Sequence, residues 1–116
     1  MSNLCDMLNI VINDAMDIGF PISDNLERNI YIDKKTYDRV GACYRYRFPE
    51  RYEIHLSEYT LKAKENEIKN IIAHEVLHAN FLTMKHNTLW KMYCERMNGK
   101  FGYDIKITYS WHEIIK

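Results

Sequence analysis

The sequence lacks several features that would each indicate a particular class of protein. It has no excess of either charge, since sixteen basic residues balance sixteen acidic ones, whereas a protein that lives on nucleic acid usually carries a basic excess. No apolar run approaches the ~20 residues that span a membrane. The N-terminus has no basic region followed by a continuous apolar stretch, so no secretory signal is predicted. We therefore expect a cytoplasmic protein without a membrane partner.

Cysteine is also scarce. Cys5, Cys43 and Cys94 are the three cysteines of the chain, and none has a second cysteine at the short spacing that zinc sites use. An odd number of cysteines does not suit a disulfide scaffold either. We expect three buried, free thiols in a reducing compartment.

The 116 residues are expected to form one domain, residues 1–116, with one compact core. The period of the apolar residues predicts an α+β fold with three main helices and a short, mainly antiparallel sheet. The helices are predicted at 3–18, 62–83 and 88–97 and the strands at 29–33, 42–48 and 52–57. Ser2 is a possible cap for the first helix, and Asn98 with Gly99 a possible stop for the third.

The ionisable residues form one recognisable motif, His74-Glu75-Val76-Leu77-His78. Because residues four apart lie on one face of a helix, His74 and His78 can direct both imidazoles at one point. Zinc in a catalytic site takes two such imidazoles, a third protein ligand and a water. Glu75 lies close enough to take a proton from that water, whose pKa the metal lowers to ~7. This HExxH pattern is typical of zinc peptidases.

The flanks of the motif favour a metal over two ordinary surface histidines. They are strongly apolar, as in a helix that is buried along most of its length. A buried helix that carries two histidines and a glutamate must satisfy their polar groups, and a metal ion does so. The apolar positions are Ile68, Ile71, Ile72, Val76, Leu77, Phe81 and Leu82.

The third ligand has two main candidates. The metzincin spacing is excluded, because Phe81 and Met84 stand where that family has glycine and histidine. Glu95 is the one acidic residue at a suitable distance for a ligand from the next helix. His86 is favoured, although a continuous helix would place it ~12 Å along the axis from His78. The chain must therefore turn between Met84 and Asn87, and Asn87 or Thr88 is a suitable cap for a new helix there.

These residues together resemble the SprT-like zinc metallopeptidases, which include the Spartan proteases. In that family an HExxH helix is followed by a loop and by a His-x-x-x-Phe/Trp motif at the start of the next helix, which is similar to His86–Trp90 here. Tyr52–Ser57 resembles the strand before the active helix, and Gly41–Arg45 resembles the glycine turn of the preceding hairpin. The resemblance covers roughly residues 28 to 98.

The resemblance implies a zincin-like fold, with the sheet beside the HExxH helix, and zinc-dependent hydrolysis of peptide bonds. His74, His78 and His86 would be the zinc ligands and Glu75 the general base. By analogy with other zincins, Tyr52–Ser57 would hold a peptide substrate as an added strand. No CxxC pair follows the motif, so we expect no C-terminal zinc ribbon and no DNA recruitment through one.

Four other features leave alternatives open. The basic and aromatic stretch 44–52 fits a nucleic-acid platform, but an edge hairpin kept soluble by its arginines is favoured. His55 is interpreted as a strand surface residue, and His112 is a minor candidate ligand. Residues 105–109 alternate in polarity like a strand, with a short turn at 111–115, and Tyr109 is a candidate for steadying the oxyanion.

The alternative to an enzyme is a zinc-stabilised domain that binds protein or nucleic acid without cutting it. That domain would use the basic and aromatic hairpin as its binding surface. It would also keep its function when Glu75 is replaced by glutamine.

Overall fold

The computed structural model describes residues 3–114. Within this range the chain is α+β, with three main helices, one short helix and a three-stranded sheet. None of these helices has the length and apolar character needed to cross a membrane. In chain order the elements are α1 (Leu4–Asp17), β1 (Leu26–Asp33), β2 (Gly41–Arg47), β3 (Glu50–Ser57), a 3-10 turn (Glu58–Lys62), α2 (Glu65–Val76), α3 (Thr88–Phe101) and α4 (Trp111–Ile114).

Helix α1 is amphipathic, as its sequence period predicts. Its buried face packs against β1 and α2. The side chain of Asn3 caps the helix by accepting a hydrogen bond from the backbone N–H of Asp6 at 2.8 Å. The predicted cap, Ser2, lies outside the described residues. The helix ends before Gly19, whose φ of 88° reverses the chain.

The sheet is mixed, with the strand order β1-β3-β2. β2 and β3 form the predicted antiparallel hairpin, but β1 pairs with β3 in parallel. The prediction of a mainly antiparallel sheet was therefore wrong for one of the two strand pairs. β1 also begins at Leu26, three residues earlier than predicted. Alternating polarity reports that a strand has one buried face, and it carries no information on the direction of its partner.

The central position of β3 corrects the predicted guide for a peptide substrate. Tyr52–Ser57 lies in a strand whose two edges are both paired, so it cannot accept a further strand. Its neighbour β2 is the sheet edge on the side of α2. Gly41 in β2 lies so close to α2 that a Cβ atom there would be 3.2 Å from the Cγ2 atom of Ile71.

Helix α2 is shorter than predicted at both ends. It covers Glu65–Val76 rather than residues 62–83, because the 3-10 turn occupies the chain before it. At its end the hydrogen bonds tighten: the N–H of His78 bonds to the carbonyl of Glu75 at 3.0 Å instead of to the carbonyl four residues back. Beyond that turn, Phe81 and Leu82 are 61% and 53% exposed, although the sequence predicted that they were buried.

Helix α3 begins where the sequence predicts and ends later. The side chain of Asn87 accepts a hydrogen bond from the N–H of Trp90 at 2.9 Å, which confirms it as the cap. The predicted stop at Asn98 and Gly99 is wrong, because the helix continues to Phe101. Gly102 ends it with a left-handed φ of 75°.

The segment from 102 to 110, which we call the tail, is not the strand that its alternation predicted. No strand is assigned between α3 and α4 in the described chain. Side chains of other elements hold this segment instead: the Tyr103 hydroxyl donates to Asp14 on α1 at 2.7 Å. Beyond it, Trp111 in α4 donates from its indole nitrogen to the carbonyl of Tyr37 at 2.6 Å. Tyr103 and Ile105 are therefore buried without a strand partner, whereas Ile107 at the next alternate position is exposed.

The three cysteines are free, as predicted, but they are not all buried. Cys94 is buried, Cys43 is half-buried and Cys5 is exposed. Burial raises the pKa of Cys94 to about 12, so this thiol stays protonated and inert at neutral pH.

The two glycines near the end of α3 provide a test of where the helix stops. A Cβ at Gly99 would meet no atom within 4 Å, so Gly99→Ala should raise the free energy of unfolding by about 0.5–1 kcal/mol. Gly102→Ala should lower it by about 1 kcal/mol, since the left-handed conformation disfavours a side chain. Urea unfolding measures both changes. A loss of stability in Gly99→Ala would contradict the observed end of the helix.

Candidate metal centre

Three histidines converge at the C-terminal end of α2. One ligand nitrogen from each of His74, His78 and His86 lies within 4.8 Å of the others. The Nε2 atoms of His74 and His86 are 3.1 Å apart, and the ring centroids of the three pairs are 4.8–5.0 Å apart. Nitrogen atoms at this spacing can bind one metal ion together. The structure thus joins the two histidines of the motif to the favoured third residue.

The loop between His78 and His86 makes this convergence possible. Asn80 begins the reversal, because its side-chain oxygen accepts a hydrogen bond from the N–H of Leu82 at 2.9 Å. The amide of Asn87 then donates to the carbonyl of Leu82 at 2.9 Å. The loop therefore returns the chain to the end of α2 immediately before α3 begins. A continued helix would have carried His86 away from the other two rings.

Two backbone carbonyls orient two of the imidazoles. The Nδ1 atom of His74 is 2.7 Å from the carbonyl oxygen of Lys106, and the Nδ1 atom of His78 is 2.7 Å from that of Thr83. Because a carbonyl oxygen can only accept, both Nδ1 atoms must carry the proton. Each Nε2 atom is then an unprotonated donor for a metal, which is the arrangement of metal-binding histidines in general.

Burial keeps these imidazoles neutral. Burial and the neighbouring His78 lower the pKa of His74 to about 3. Burial also lowers the pKa of His78 to about 4, with a further contribution from His86. His86 is more exposed than the other two histidines, and its pKa is lowered by partial desolvation and by the positive charge of Lys91. Since a metal binds neutral imidazole, the donor set fits a divalent ion at neutral pH.

Trp90 forms one wall of the site, a role that the sequence analysis missed. It is 1% exposed and stacks on His78, with ring centroids 4.9 Å apart and planes at 9°. Its centroid is also 4.7 Å from that of His74 and 4.6 Å from that of His86. Its indole nitrogen lies 3.4 Å from the carbonyl oxygen of His74. The His-x-x-x-Trp spacing was the available signal, because it places Trp90 in the first turn of the helix that begins just after His86.

Glu75 is buried beside the histidines. It is 6% exposed, and its Oε2 atom is 4.0 Å from the Nε2 atom of His74. Burial raises its pKa to about 8. The pKa of the Cys43 thiol on β2 is raised by burial and by the charge of Glu75. An acid group therefore lies next to the metal-facing nitrogens and adjacent to the edge strand.

The other candidate residues lie elsewhere. Glu95 is exposed on α3 and His112 is exposed in α4, and neither belongs to the three-histidine group found in the described chain. His55 is on β3, where its ring nitrogens are 2.8 Å from Asp33 and 3.1 Å from Glu53. The structure therefore places His86 with the HExxH motif. It places Glu95, His112 and His55 outside this group.

Two of the three arginines of the hairpin form ion pairs within the protein. Arg45 forms an ion pair with Glu50 at 2.8 Å, and Arg51 forms one with Glu53 at 3.0 Å. The guanidinium of Arg51 also lies over the ring of Tyr46, at 4.1 Å from its centroid. These pairs neutralise two of the positive charges that a nucleic-acid surface on this hairpin would use. The contacts favour the interpretation of this segment as a self-contained edge hairpin.

The site and fold define a class of protein: an α+β domain in which an HExxH helix and a histidine of the following loop form a group able to bind a metal ion. The chain belongs to the SprT-like family, whose model matches residues 10–109. The match extends beyond the stretch on which the resemblance was based, since it includes most of α1 and the tail to Tyr109. No curated protein and no solved structure is similar enough to this chain to match it.

Metal binding by the third histidine can be tested against its rival. His86→Ala should lower zinc affinity by at least about 100-fold, because it removes one of three donors. Glu95→Ala should leave the zinc Kd unchanged, since this carboxylate is exposed and lies outside the group. Competition with a chromophoric chelator measures both. If Glu95→Ala lost zinc affinity and His86→Ala did not, Glu95 and not His86 would be the third ligand.

The lowered histidine pKa values predict unusual resistance of metal binding to acid. In an exposed imidazole with a pKa of ~6.5, the protonated form is about ten times as abundant as the neutral form at pH 5.5. Three such imidazoles would bind zinc about 1,000-fold more weakly at that pH than at neutral pH. His74 and His78, with pKa values of about 3 and about 4, stay neutral at that pH. We expect the Kd to rise less than about tenfold between pH 7.5 and 5.5.

This titration is best made in Glu75→Gln, where the neighbouring carboxylate no longer changes charge over the same range. Circular dichroism at each pH would verify that the protein stays folded. A 1,000-fold rise in Kd would show that the imidazoles titrate as exposed groups do.

Proposed function

We propose that this protein is a zinc-dependent metallopeptidase with a zincin-like arrangement of its active site. The observation that supports the proposal most strongly is the approach of three neutral imidazoles to one point, with a buried carboxylate 4.0 Å from one of them. Membership of the SprT-like family, which is associated with metallopeptidase-like domains, agrees with it.

In this proposal His74, His78 and His86 hold the metal through one ring nitrogen each. Bound zinc supplies a Lewis acid that lowers the pKa of water to ~7. The positive charge of the ion also favours the ionised form of Glu75, against the effect of burial on this carboxyl. Zinc rather than another metal is proposed because neutral imidazoles and one carboxylate nearby are typical of catalytic zinc sites.

Glu75 moves the protons of the reaction. Its carboxylate oxygen takes one proton from the attacking water and then passes it to the nitrogen of the leaving amine. Burial suits this second role, because a carboxyl group with a raised pKa keeps its proton until an acceptor is formed. The walls made by Trp90 and by the buried face of α2 exclude bulk water from one side of the site.

We propose that the substrate is a peptide held in an extended conformation along β2. This strand has a free edge. It also contains Cys43, whose pKa is raised in part by the charge of Glu75. Backbone hydrogen bonds to such an edge bind a peptide with little regard for its side chains. Phe81 and Leu82 lie on the loop between the histidines, and their exposed side chains offer an apolar surface to a substrate.

The binding module without catalysis has less support. Its proposed surface was the basic hairpin, whose Arg45 and Arg51 are both engaged in ion pairs with neighbouring glutamates. A purely structural zinc site also has four protein ligands as a rule, whereas the group here provides three histidines and leaves one position open.

The two functions are separated by Glu75→Gln. This variant should bind zinc like the unmodified protein, because it keeps the three imidazoles. Its rate of peptide hydrolysis should fall by about 10²–10⁴-fold, because it lacks the general base. Digestion of an unfolded protein such as casein, with zinc content measured in parallel, tests this. Glu65→Gln, an exposed position on the same helix, is the matched control and should retain activity. Full activity in Glu75→Gln would refute the mechanism.

A further inference from the structure

The orientation of His74 depends on a segment that has no regular secondary structure. Its Nδ1 atom donates to the carbonyl of Lys106, which lies 32 residues further along the chain in the tail. In a helix or a paired strand, backbone hydrogen bonds fix a carbonyl in place. The tail has neither, so the position of this carbonyl must depend on other contacts.

Asn98 of α3 provides one of these contacts. Its side-chain oxygen accepts a hydrogen bond from the N–H of Ile105 at 2.9 Å, and its amide donates to the carbonyl of Ile105 at 3.4 Å. The asparagine therefore binds both backbone groups of one residue, as a neighbouring strand would. Ile105 is itself 7% exposed, which places this double contact at the edge of the core. The residue that follows is Lys106.

Tyr109 and Asn70 provide further contacts. The Tyr109 hydroxyl accepts a hydrogen bond from the N–H of Lys106 at 3.0 Å and lies 3.5 Å from the carbonyl oxygen of Asn70. The side chain of Asn70 accepts from the N–H of Asp104 at 3.0 Å. Asn70 lies on α2, one helical turn before His74, so both the ligand and part of its support belong to the same helix.

We infer that Asn70, Asn98 and Tyr109, the tail clamp, position His74 for metal binding by fixing the carbonyl of Lys106. The three side chains hold residues 104, 105 and 106 from two helices and from the tail itself. A carbonyl held in this way keeps the proton of His74 on Nδ1 and its Nε2 atom directed at the metal. The inference depends on the proposed metal site and not on peptidase activity.

The tail clamp gives Tyr109 a role different from oxyanion stabilisation. The hydroxyl oxygen already accepts one hydrogen bond, and its proton is directed at Asn70. The ring contacts His74 at a centroid distance of 5.5 Å. A positioning residue acts on the metal ligand, so its removal changes metal affinity; an oxyanion donor acts on the substrate, so its removal lowers kcat alone.

The test is the zinc affinity of Tyr109→Phe, which removes the hydroxyl and keeps the ring. We expect the Kd for zinc to rise about tenfold, at the lower end of the usual effect of losing a partner of a metal ligand. Tyr103→Phe is the matched control from the same segment, because its hydroxyl bonds to Asp14 on α1 and not to the tail clamp. It should lower Tm and leave the zinc Kd unchanged.

A second measurement needs no metal and distinguishes positioning from loss of fold. Nitrogen-15 NMR of the metal-free protein reports which ring nitrogen of His74 carries the proton. Asn98→Asp keeps the oxygen that accepts from Ile105 and removes the amide donor. In both Asn98→Asp and Tyr109→Phe we expect the population of His74 protonated on Nε2 to increase, whereas Tyr103→Phe should retain the proton on Nδ1.

The outcomes separate this inference from the proposed function. Unmodified protein that binds no zinc overturns the proposed function and the inference with it. If the unmodified protein binds zinc and Tyr109→Phe binds it with the same Kd, the inference alone is overturned. An equal loss of affinity in Tyr103→Phe also overturns it, since the effect would then belong to the whole tail rather than to the tail clamp.

Discussion

The site depends on two hydrogen bonds from imidazole N–H groups to backbone carbonyls. His74 bonds to Lys106 and His78 bonds to Thr83, both at 2.7 Å. Each bond determines the tautomer of a ring and the direction of its free nitrogen. The two carbonyls come from irregular segments, the loop after α2 and the tail. These segments, although they have no regular secondary structure, therefore orient the two imidazole rings.

The same arrangement buries three ionisable side chains close together. His74, His78 and Glu75 are each 6% exposed, on a helix end that is otherwise apolar. Burial alone drives all three groups towards their neutral forms, as the lowered histidine pKa values and the raised pKa of Glu75 show. A divalent ion would reverse this preference for the carboxylate while it uses the neutral imidazoles. The three-histidine group therefore already has the neutral imidazoles that a divalent ion would need.

For the proposed peptidase, the order of the strands limits which strand can hold a peptide. β1 covers one edge of β3 and β2 covers the other, so the strand with the closest resemblance to the family's motif is the strand that cannot receive a partner. β1 and β2 each have a free outer edge, and β2 is the outer strand that packs on α2. The charge of Glu75 also acts on Cys43 of β2. A peptide bound to the sheet would therefore lie along β2 and not along β3, beside the same three histidines.

Local sequence determined the chemistry of the site: the helical spacing of His74 and His78, the position of Glu75 and the capping of α3 by Asn87 were all predictable, because each depends on residues within one or two turns. The sequence also favoured His86, on the argument that the chain must turn before the next helix. The early end of α2, the parallel pairing of β1 and the path of the tail could not be predicted. They result from hydrogen bonds between residues far apart in the chain, such as His74 with Lys106, and only the tertiary structure brings those partners together.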